Sequence, residues 1–168
     1  MDTEFMAAAI QCAREGIENG EIPIGAVVVL GGDILAKGYC QDRTKGLLAH
    51  AELVALSAID RRKFSVADRK NMTIYSTLEP CIMCFGAVMS SFVGKLVYSL
   101  KAPADGAVRL FQNQVLENGS YENYRIPEII GGVGHQEALS LFREFTELKK
   151  TGPYADFARG VIAGNHLF

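Results

Sequence analysis

Four side chains that can bind metals or carry protons fall in two short segments of the chain. His50 and Glu52 are separated by one residue, and Cys81 and Cys84 follow Pro80 with two residues between them. Two thiolates neutralise a Zn²⁺ ion, and one imidazole completes a set of three protein ligands. Three ligands leave the fourth tetrahedral position for water, whose pKa zinc lowers towards ~7. The sequence therefore predicts a catalytic metal centre held by His50, Cys81 and Cys84.

Glu52 is the predicted catalytic residue beside this centre. Its carboxylate would take a proton from the attacking water and pass it to the substrate and the leaving group. Residues two apart diverge on a regular helix. His50 and Glu52 therefore share one cleft only if a helix begins at His50 with non-helical backbone at that residue.

The two cysteines are expected at the start of a second helix. Residues three apart lie on the same helix face, and Pro80 suits the first helical position, where its missing N–H costs nothing. Both sulfurs would then lie in the first turn, where the helix dipole favours thiolates. This interpretation brings Cys81 and Cys84 together from local geometry alone.

Other interpretations compete with a catalytic zinc site. A Cys-x-x-Cys pair also serves redox chemistry, but that use does not account for His50 and Glu52. A structural zinc site needs a fourth ligand, and no further Cys or His stands in a matching pattern. A non-catalytic, zinc-stabilised interaction module would not need Glu52. The ligand types leave iron open as an alternative metal.

Hydrophobic periodicity predicts the elements that must position these residues. A β-branched run returns through a Gly-rich turn as a hairpin, and βα units follow a polar loop at 40–49. This order implies an α/β fold of three α-β-α layers, with a mixed sheet and a single domain over 1–168. Helices are predicted over 2–19, 50–62, 80–89, 105–113, 136–150 and 154–163, and strands over 24–30, 34–39, 72–77, 95–100 and 126–131.

Composition limits the classes of protein to which the chain can belong. Its 168 residues are 49% hydrophobic and 21% charged, as in ordinary globular proteins. A net charge of −2 argues weakly against a protein whose main task is to hold nucleic-acid phosphates. The apolar runs are too short to cross a bilayer, and the first residues lack a signal-peptide pattern. We therefore expect a cytoplasmic protein with no membrane partner.

The His-x-Glu and Pro-Cys-x-x-Cys motifs resemble those of the cytidine and deoxycytidylate deaminase superfamily. Within it, residues 21–111 are most similar to the bacterial tRNA adenosine deaminases and to free-base relatives such as guanine deaminase. The matching stretches are 22–27, 49–52, 78–87 and 106–107. The resemblance implies a cytidine deaminase-like fold with a five-stranded sheet, one zinc per chain and a homodimer with its active site near the interface. It also implies that Ala51, Leu78 and Glu79 contact the substrate and that Glu52 shuttles protons.

The chain departs from the tRNA-editing pattern at three places. Cys40 stands where that family has a substrate-contacting Asn, and a thiol is a weaker hydrogen-bonding group than an amide. Tyr39 beside it is a candidate for stacking on the substrate. The predicted helix over 136–150 lacks the arginine-rich end of the family's C-terminal helix, and the small residues after Gly106-Ala107 are replaced by 108–110. Substrate recognition is therefore expected to differ from that of the tRNA enzymes.

These departures favour a small-molecule substrate over RNA. One basic group, at 61–63 and 69–70, has the charge to face RNA, but it also fits a solvated helix end. Phe157, His166 and Phe168 are candidates to fold over a pocket, as C-terminal tails do in some free-base deaminases of the superfamily; simple helix docking is the alternative. The sequence predicts a zinc-dependent hydrolytic deaminase of a small nucleobase, nucleoside or aminated heterocycle. A tRNA-specific adenosine deaminase is the alternative.

Overall fold

The computed structural model describes residues 1–114 and 124–166 and forms three layers, with one sheet between two layers of helices. The strands are β1 (Gly25–Leu30), β2 (Asp33–Tyr39), β3 (Thr73–Leu78), β4 (Lys95–Leu100) and β5 (Glu128–Gly131). The helices are α1 (Asp2–Glu18), α2 (Asp42–Lys45), α3 (Ala51–Asp60), α4 (Val66–Arg69), α5 (Ile82–Ser90), α6 (Val108–Gln114), α7 (His135–Leu148) and α8 (Pro153–Gly164). Within the described ranges, no helix is both long and apolar enough to span a membrane.

The sheet is mixed and has five strands, as the sequence predicts. Its order is β2-β1-β3-β4-β5, with β1 antiparallel to β2 and β3, and β4 parallel to β3 and β5. Gly31 and Gly32 close the β1–β2 hairpin with positive φ angles of 62° and 95°, which glycine adopts without strain. β5 lies at an edge, and Pro127 precedes it, where a missing N–H costs no ladder bond.

Each face of the sheet packs against its own helices. Val28, Ile74 and Leu96 belong to one core together with residues of α3 and α5, such as Ile59 and Phe85. The intervening residues of the same strands point to the other face, where they pack against α1. Helices α7 and α8 contact each other and enclose a further core, which includes the ends of β3 and β4. This alternation produces the three-layer architecture.

The parallel strands decide where the site forms. β3 and β4 run in the same direction, so their carboxyl ends, Leu78 and Leu100, are paired at one edge of the sheet. Ligands of open α/β sheets bind at this edge because the connecting loops and helix starts meet there. The Glu79 N–H donates to the Leu100 carbonyl at 2.7 Å and extends this pairing toward α5.

Several predicted elements differ from those observed. The loop at 40–49 contains the short helix α2, which a Gln41 N-cap begins. The helix predicted to begin at Asp105 begins at Val108 instead. Asp2 begins α1, and its carboxylate accepts hydrogen bonds from Tyr75 of β3 and Lys95 of β4.

Candidate metal centre and active site

His50 lies at the N-cap of α3, just outside the helix. Its φ and ψ of −70° and 152° are extended, and its carbonyl oxygen accepts the first helical bond from the Val54 N–H at 2.9 Å. Gly38 on β2 allows this approach, because a Cβ there would lie 2.7 Å from the Ala51 carbonyl oxygen. The predicted non-helical geometry at His50 is therefore confirmed, and it directs both His50 and Glu52 into one cavity.

Cys81 and Cys84 do not both lie within a helix, contrary to the prediction. Cys81 is the N-cap of α5, with φ and ψ of −68° and 172°, and its backbone forms a bridge with Gly106. Cys84 lies in the first turn and is fully buried. The helix starts later than Pro80 because the bridge to Gly106 holds the backbone of Cys81 extended. His50 and Cys81 thus occupy equivalent positions on two neighbouring helices.

The three predicted ligands come together. His50 Nδ1 lies 3.6 Å from Cys81 Sγ and 3.5 Å from Cys84 Sγ, and all three donor atoms lie within 4.8 Å of one another. A hydrogen bond from Cys84 and the His50 ring lower the pKa of the Cys81 thiol to about 4, while the Cys81 sulfur and burial raise the pKa of Cys84. Two sulfurs and one imidazole at this separation fit a Zn²⁺ ion with an open fourth position.

Glu52 lies beside this donor set and is almost completely buried, with 3% of its surface exposed. The Ser76 hydroxyl of β3 donates a hydrogen bond to Glu52 Oε1 at 2.9 Å, which fixes the carboxylate. Burial raises the pKa of Glu52 above its ordinary value. A carboxyl group that is fixed, desolvated and next to a metal site is suited to exchange protons.

A cavity of about 230 Å³ opens above these residues. This volume lies below the ~300–1,000 Å³ typical of pockets for drug-sized ligands. Three of the lining residues, Pro153, Tyr154 and Phe157, come from α8. The complete lining consists of Ile22, Ile24, Cys40, Asp42, His50, Ala51, Glu52, Leu78, Glu79, Cys81, Asp105, Pro153, Tyr154 and Phe157.

Four of the five predicted substrate contacts line this cavity: Cys40, Ala51, Leu78 and Glu79. Cys40 is buried, and burial raises the pKa of its thiol to about 12, so the thiol is neutral. Tyr39 is not among the lining residues. Because strand residues alternate, its side chain points to the other face, where it packs beside Gly16 of α1.

The Glu79 side chain has a structural task. It is buried, and its carboxylate accepts hydrogen bonds from the Ala102 N–H at 3.2 Å and the Val108 N–H at 3.1 Å. A Cβ at Gly106 would lie 2.6 Å from this carboxylate, so glycine is required there. Glu79 thereby ties the segment that pairs with Cys81 to the end of β3.

The sequence prediction missed several lining residues, above all Asp42 and Tyr154. Neither belongs to a motif, and the only sequence signal was their place in a loop and a late helix. Among the C-terminal candidates, Phe157 lines the cavity, while His166 is exposed and does not. Phe168 lies outside the described residues.

Comparison with known proteins agrees with this geometry. Residues 1–100 match the model of the cytidine and deoxycytidylate deaminase zinc-binding region. The chain is 33% identical over 154 residues to the tRNA-specific adenosine deaminase of Bacillus subtilis strain 168, covering 89% of this chain and 93% of that protein. A structure of tRNA:A34 deaminases, which edit A to I at the wobble position, superposes with a TM-score of 0.70 at 29% identity, over 83% and 99% of the two chains. The guanine deaminase from Nitrosomonas europaea superposes with a TM-score of 0.68 at 27% identity, over 86% and 84%.

Proposed function

The chain belongs to the cytidine and deoxycytidylate deaminase family of zinc-dependent hydrolytic deaminases, and we propose that it acts on a small nucleobase, nucleoside or related aminated heterocycle. In this reaction water adds to the ring carbon that bears the amino group, the C–N bond breaks, and ammonia leaves a ring carbonyl behind. The observation that supports a small substrate is the volume of the cavity, about 230 Å³, whose lining includes Tyr154 and Phe157.

His50, Cys81 and Cys84 would hold the zinc ion, since their donor atoms already lie within 4.8 Å of one another. A zinc ion bound there would polarise water and lower its pKa towards ~7. Both N-cap positions, at His50 and Cys81, bring helix N-termini to the site, and their dipoles stabilise the thiolate charge. The zinc ion and the two helix dipoles together would compensate the negative charge of the two thiolates, so no Lys or Arg side chain is needed for this purpose.

Glu52 would move the protons of the reaction. Its carboxylate would take the first proton from the attacking water and deliver it to the ring nitrogen. It would then take the second proton from the hydroxyl group now on the ring carbon and deliver it to the leaving amine, so that the C–N bond breaks and the carbonyl forms. The hydrogen bond from Ser76 keeps Oε1 in place, and burial keeps the proton from exchanging with bulk water during these steps. A non-catalytic, zinc-stabilised module would gain nothing from a buried, desolvated carboxylate at this point.

The remaining lining residues would orient the ring. We place the backbone of Ala51, Leu78 and Glu79 against the substrate edge, because the Glu79 carboxylate is already bonded to Ala102 and Val108. Cys40 offers only a neutral thiol, which forms weak hydrogen bonds. Apolar side chains from Ile22, Ile24 and Phe157 would sandwich the faces of a planar ring.

Ammonia release by the purified zinc protein tests the proposal. The panel contains adenine, guanine, cytosine, their nucleosides, an aminated triazine and an adenosine-containing anticodon stem-loop, with Glu52→Gln as the inactive control. Turnover of a small molecule that disappears in Glu52→Gln is the expected result. Turnover of the stem-loop alone would overturn the proposal.

A tRNA-specific adenosine deaminase is the second candidate, and the sequence identity with the Bacillus subtilis enzyme favours it. The basic group of 61–63 and 69–70 gives it little support. Two of its five basic residues have partners within the chain: Arg62 donates to the Leu35 carbonyl and lies over the Phe64 ring, and Arg69 pairs with Asp60 at 2.7 Å. Residues 136–168 carry four Lys and Arg against four Asp and Glu, a neutral surface for a polyanion.

A cytoplasmic homodimer is the expected assembly. Ile82, between the two cysteine ligands, is 60% exposed, and Leu110 on α6 is 49% exposed. Both border one surface depression beside the active site, and such apolar exposure favours association. Light scattering should give twice the 18.3 kDa chain mass, and Ile82→Asp should give the monomer.

A further inference from the structure

One buried side chain joins the end of α8 to the end of β4. Asn165 is the C-cap residue of α8, and only 1% of its surface is exposed. Its Oδ1 accepts a hydrogen bond from the Lys101 N–H at 2.9 Å, and its Nδ2 donates to the Lys101 carbonyl at 2.9 Å. Nδ2 also donates to the Val161 carbonyl at 2.8 Å. One amide therefore binds both backbone groups of the residue that follows β4 and the last turn of its own helix.

The residue before Asn165 brings α8 close to the same segment. A Cβ at Gly164 would lie 2.2 Å from Pro103 Cγ, so a larger residue does not fit there with α8 in this position. A Cβ at Gly160, one turn earlier, would meet open space. Hydrogen bonds and close packing thus both fit the end of α8 to residues 101–103.

The hydrogen bonds of Asn165 add what the apolar contacts of α8 do not supply. Ala158 and Val161 pack in a core that includes Phe142 of α7, and this attraction is non-directional. Hydrogen bonds weaken steeply when their distance or angle departs from the optimum. Arg159 also donates to a backbone carbonyl, that of Lys150, but this contact is exposed. The directional, buried contact at Asn165 therefore fixes where α8 lies relative to β4.

The segment that Asn165 holds leads to the active site. Lys101 is followed by Asp105, which lines the cavity. Gly106 comes next and forms the backbone bridge with the metal ligand Cys81. The position of α8 is therefore set against the same segment that supports the metal centre.

At its other end α8 forms part of the cavity. Tyr154 and Phe157 line it, whereas Asn165 does not. Asn165 follows Phe157 by eight residues, which is about 12 Å along a helix. Because a helix of this length moves as a unit, a shift at Asn165 would change how far both aromatic rings lie from the metal ligands.

We propose that Asn165 is a positioning residue that holds Tyr154 and Phe157 against the substrate and so sets the size of ring that the cavity admits. It acts through α8 and not by contact with the substrate. Groups fixed in this way bind a ligand better because less order is lost on binding. This inference rests on the proposed small-molecule deaminase function.

Two variants disturb this contact by different routes. Asn165→Ala removes all three side-chain hydrogen bonds. Gly164→Ala keeps the amide but forces the end of α8 away from Pro103. If Asn165→Ala did not fold, Gly164→Ala would carry the same test.

Each variant has a matched control. Asn71→Ala changes an exposed asparagine whose Nδ2 also donates to a backbone carbonyl, that of Ala67, at 3.2 Å. Gly160→Ala makes the same exchange on α8 at a position where the added Cβ meets nothing. Both controls should match wild type in KM, kcat and substrate choice.

The assay is ammonia release from the small molecule that wild type turns over fastest and from its ring N-methyl, N-propyl and N-benzyl derivatives. In wild type we expect kcat/KM to fall as the substituent grows, because a fitted cavity excludes it. In Asn165→Ala and Gly164→Ala the KM for the parent compound should rise about 10-fold, as expected for the loss of one apolar ring contact. The value of kcat should stay within a few-fold of wild type, and bound zinc should be unchanged.

Size selection is the readout that a merely structural role would not move. In both variants the penalty for the propyl and benzyl derivatives, relative to the parent, should shrink by about 5-fold or more, because α8 can move outwards. A protein that only folds less completely would lose activity on every compound by one common factor. Thermal unfolding and zinc analysis of the same preparations report the folded fraction.

The outcomes separate the two proposals. Small-molecule turnover by wild type, with unchanged KM and unchanged size selection in both variants, would overturn the role of Asn165 alone. Equal losses for parent and derivatives would also overturn it, because Asn165 would then serve stability and not the substrate. A wild-type protein that deaminates only the RNA stem-loop would overturn both proposals.

Discussion

Two walls of one cavity are built in different ways. The metal wall consists of His50, Glu52 and Cys81, together with Cys84, which is fully buried and does not line the cavity; all four come from two motifs at the starts of neighbouring helices. The substrate wall consists of Cys40, Asp42, Tyr154 and Phe157, which come from a loop and from the last helix. The two motifs of the first wall are 31 residues apart at His50 and Cys81, whereas the second wall joins segments more than a hundred residues apart.

From this difference we expect the metal wall to carry out the chemistry and the substrate wall to select the substrate. Residues of the metal wall are set by helix starts on a buried sheet, so the same positions can serve any ring that carries an amino group. Residues of the substrate wall sit on elements that can vary without disturbing the sheet. Changes in the metal wall should therefore act on kcat and metal content, and changes in the substrate wall on KM and substrate choice.

The strongest test of the metal wall is Cys84→Ala. Loss of one of three ligands should reduce bound zinc from one per chain to a small fraction and remove all measurable activity. Metal analysis by atomic absorption and the ammonia assay measure both effects. Cys12→Ala, which changes a buried cysteine on α1, is the matched control and should keep its zinc. Full zinc in Cys84→Ala would show that the donor set is incorrect.

Glu52→Gln should lower kcat by about 10²–10⁴-fold while zinc stays bound, because an amide cannot carry the proton. Steady-state kinetics and metal analysis on the same preparation separate the two quantities. Exposed Glu18→Gln on α1 is the control. If Glu52→Gln kept more than a tenth of the wild-type kcat, Glu52 would not be the proton carrier, and the metal wall could not be assigned the chemical step on this ground.

Phe157→Ala addresses the substrate wall. Truncating a half-buried ring removes about 1.5 kcal/mol or more of apolar contact, so KM should rise about 10-fold with kcat nearly unchanged. Leu148→Ala, at a residue 67% exposed on α7, should leave KM unchanged. If Phe157→Ala reduced kcat and not KM, α8 would have to act in the chemical step.

Glu21→Gln weakens the hydrogen bonds that hold α2, the short helix that carries Asp42 of the substrate wall. The neutral amide accepts the Arg43 and Thr44 hydrogen bonds less strongly, which should lower the free energy of unfolding by about 1–3 kcal/mol. Urea denaturation measures this loss, and KM should rise only a few-fold. Exposed Glu15→Gln, on the neighbouring helix, provides the comparison. An unaltered unfolding free energy together with unaltered KM would show that α2 is held by other contacts.

Asp2→Asn should leave both walls unchanged and alter stability alone. Hydrogen bonds from Tyr75 and Lys95 lower the pKa of Asp2, so its contribution to stability is present above the unfolded pKa of ~3.9 and is lost as pH falls through the lower folded pKa. At pH 7 the variant should lose less than about 1 kcal/mol, because the pair is partly exposed. Unfolding measured from pH 7 to acid should show the two proteins converging. A constant difference throughout would assign the effect to packing.

Much of the fold could be predicted because periodic elements are local. The β1–β2 hairpin and α7 follow directly from alternation and helical spacing, and their bounds differ from the prediction by one or two residues. The start of α5 could not be predicted, because the bridge from Cys81 to Gly106 depends on a segment far along the chain. The orientation of Tyr39 likewise depended on which face of the sheet α1 covers.

The sequence by itself identified the members of the metal wall, since side-chain type, spacing and helix-start signals are short-range properties that need no tertiary contacts to be read. It also indicated the deaminase family and the mixed sheet. Only the tertiary structure decided that Asp42, Tyr154 and Phe157 share a cavity with the metal ligands. The physical reason is that packing α8 against α7 and tying α2 to Glu21 are long-range events, and their outcome is set by burial and hydrogen bonding across the whole domain.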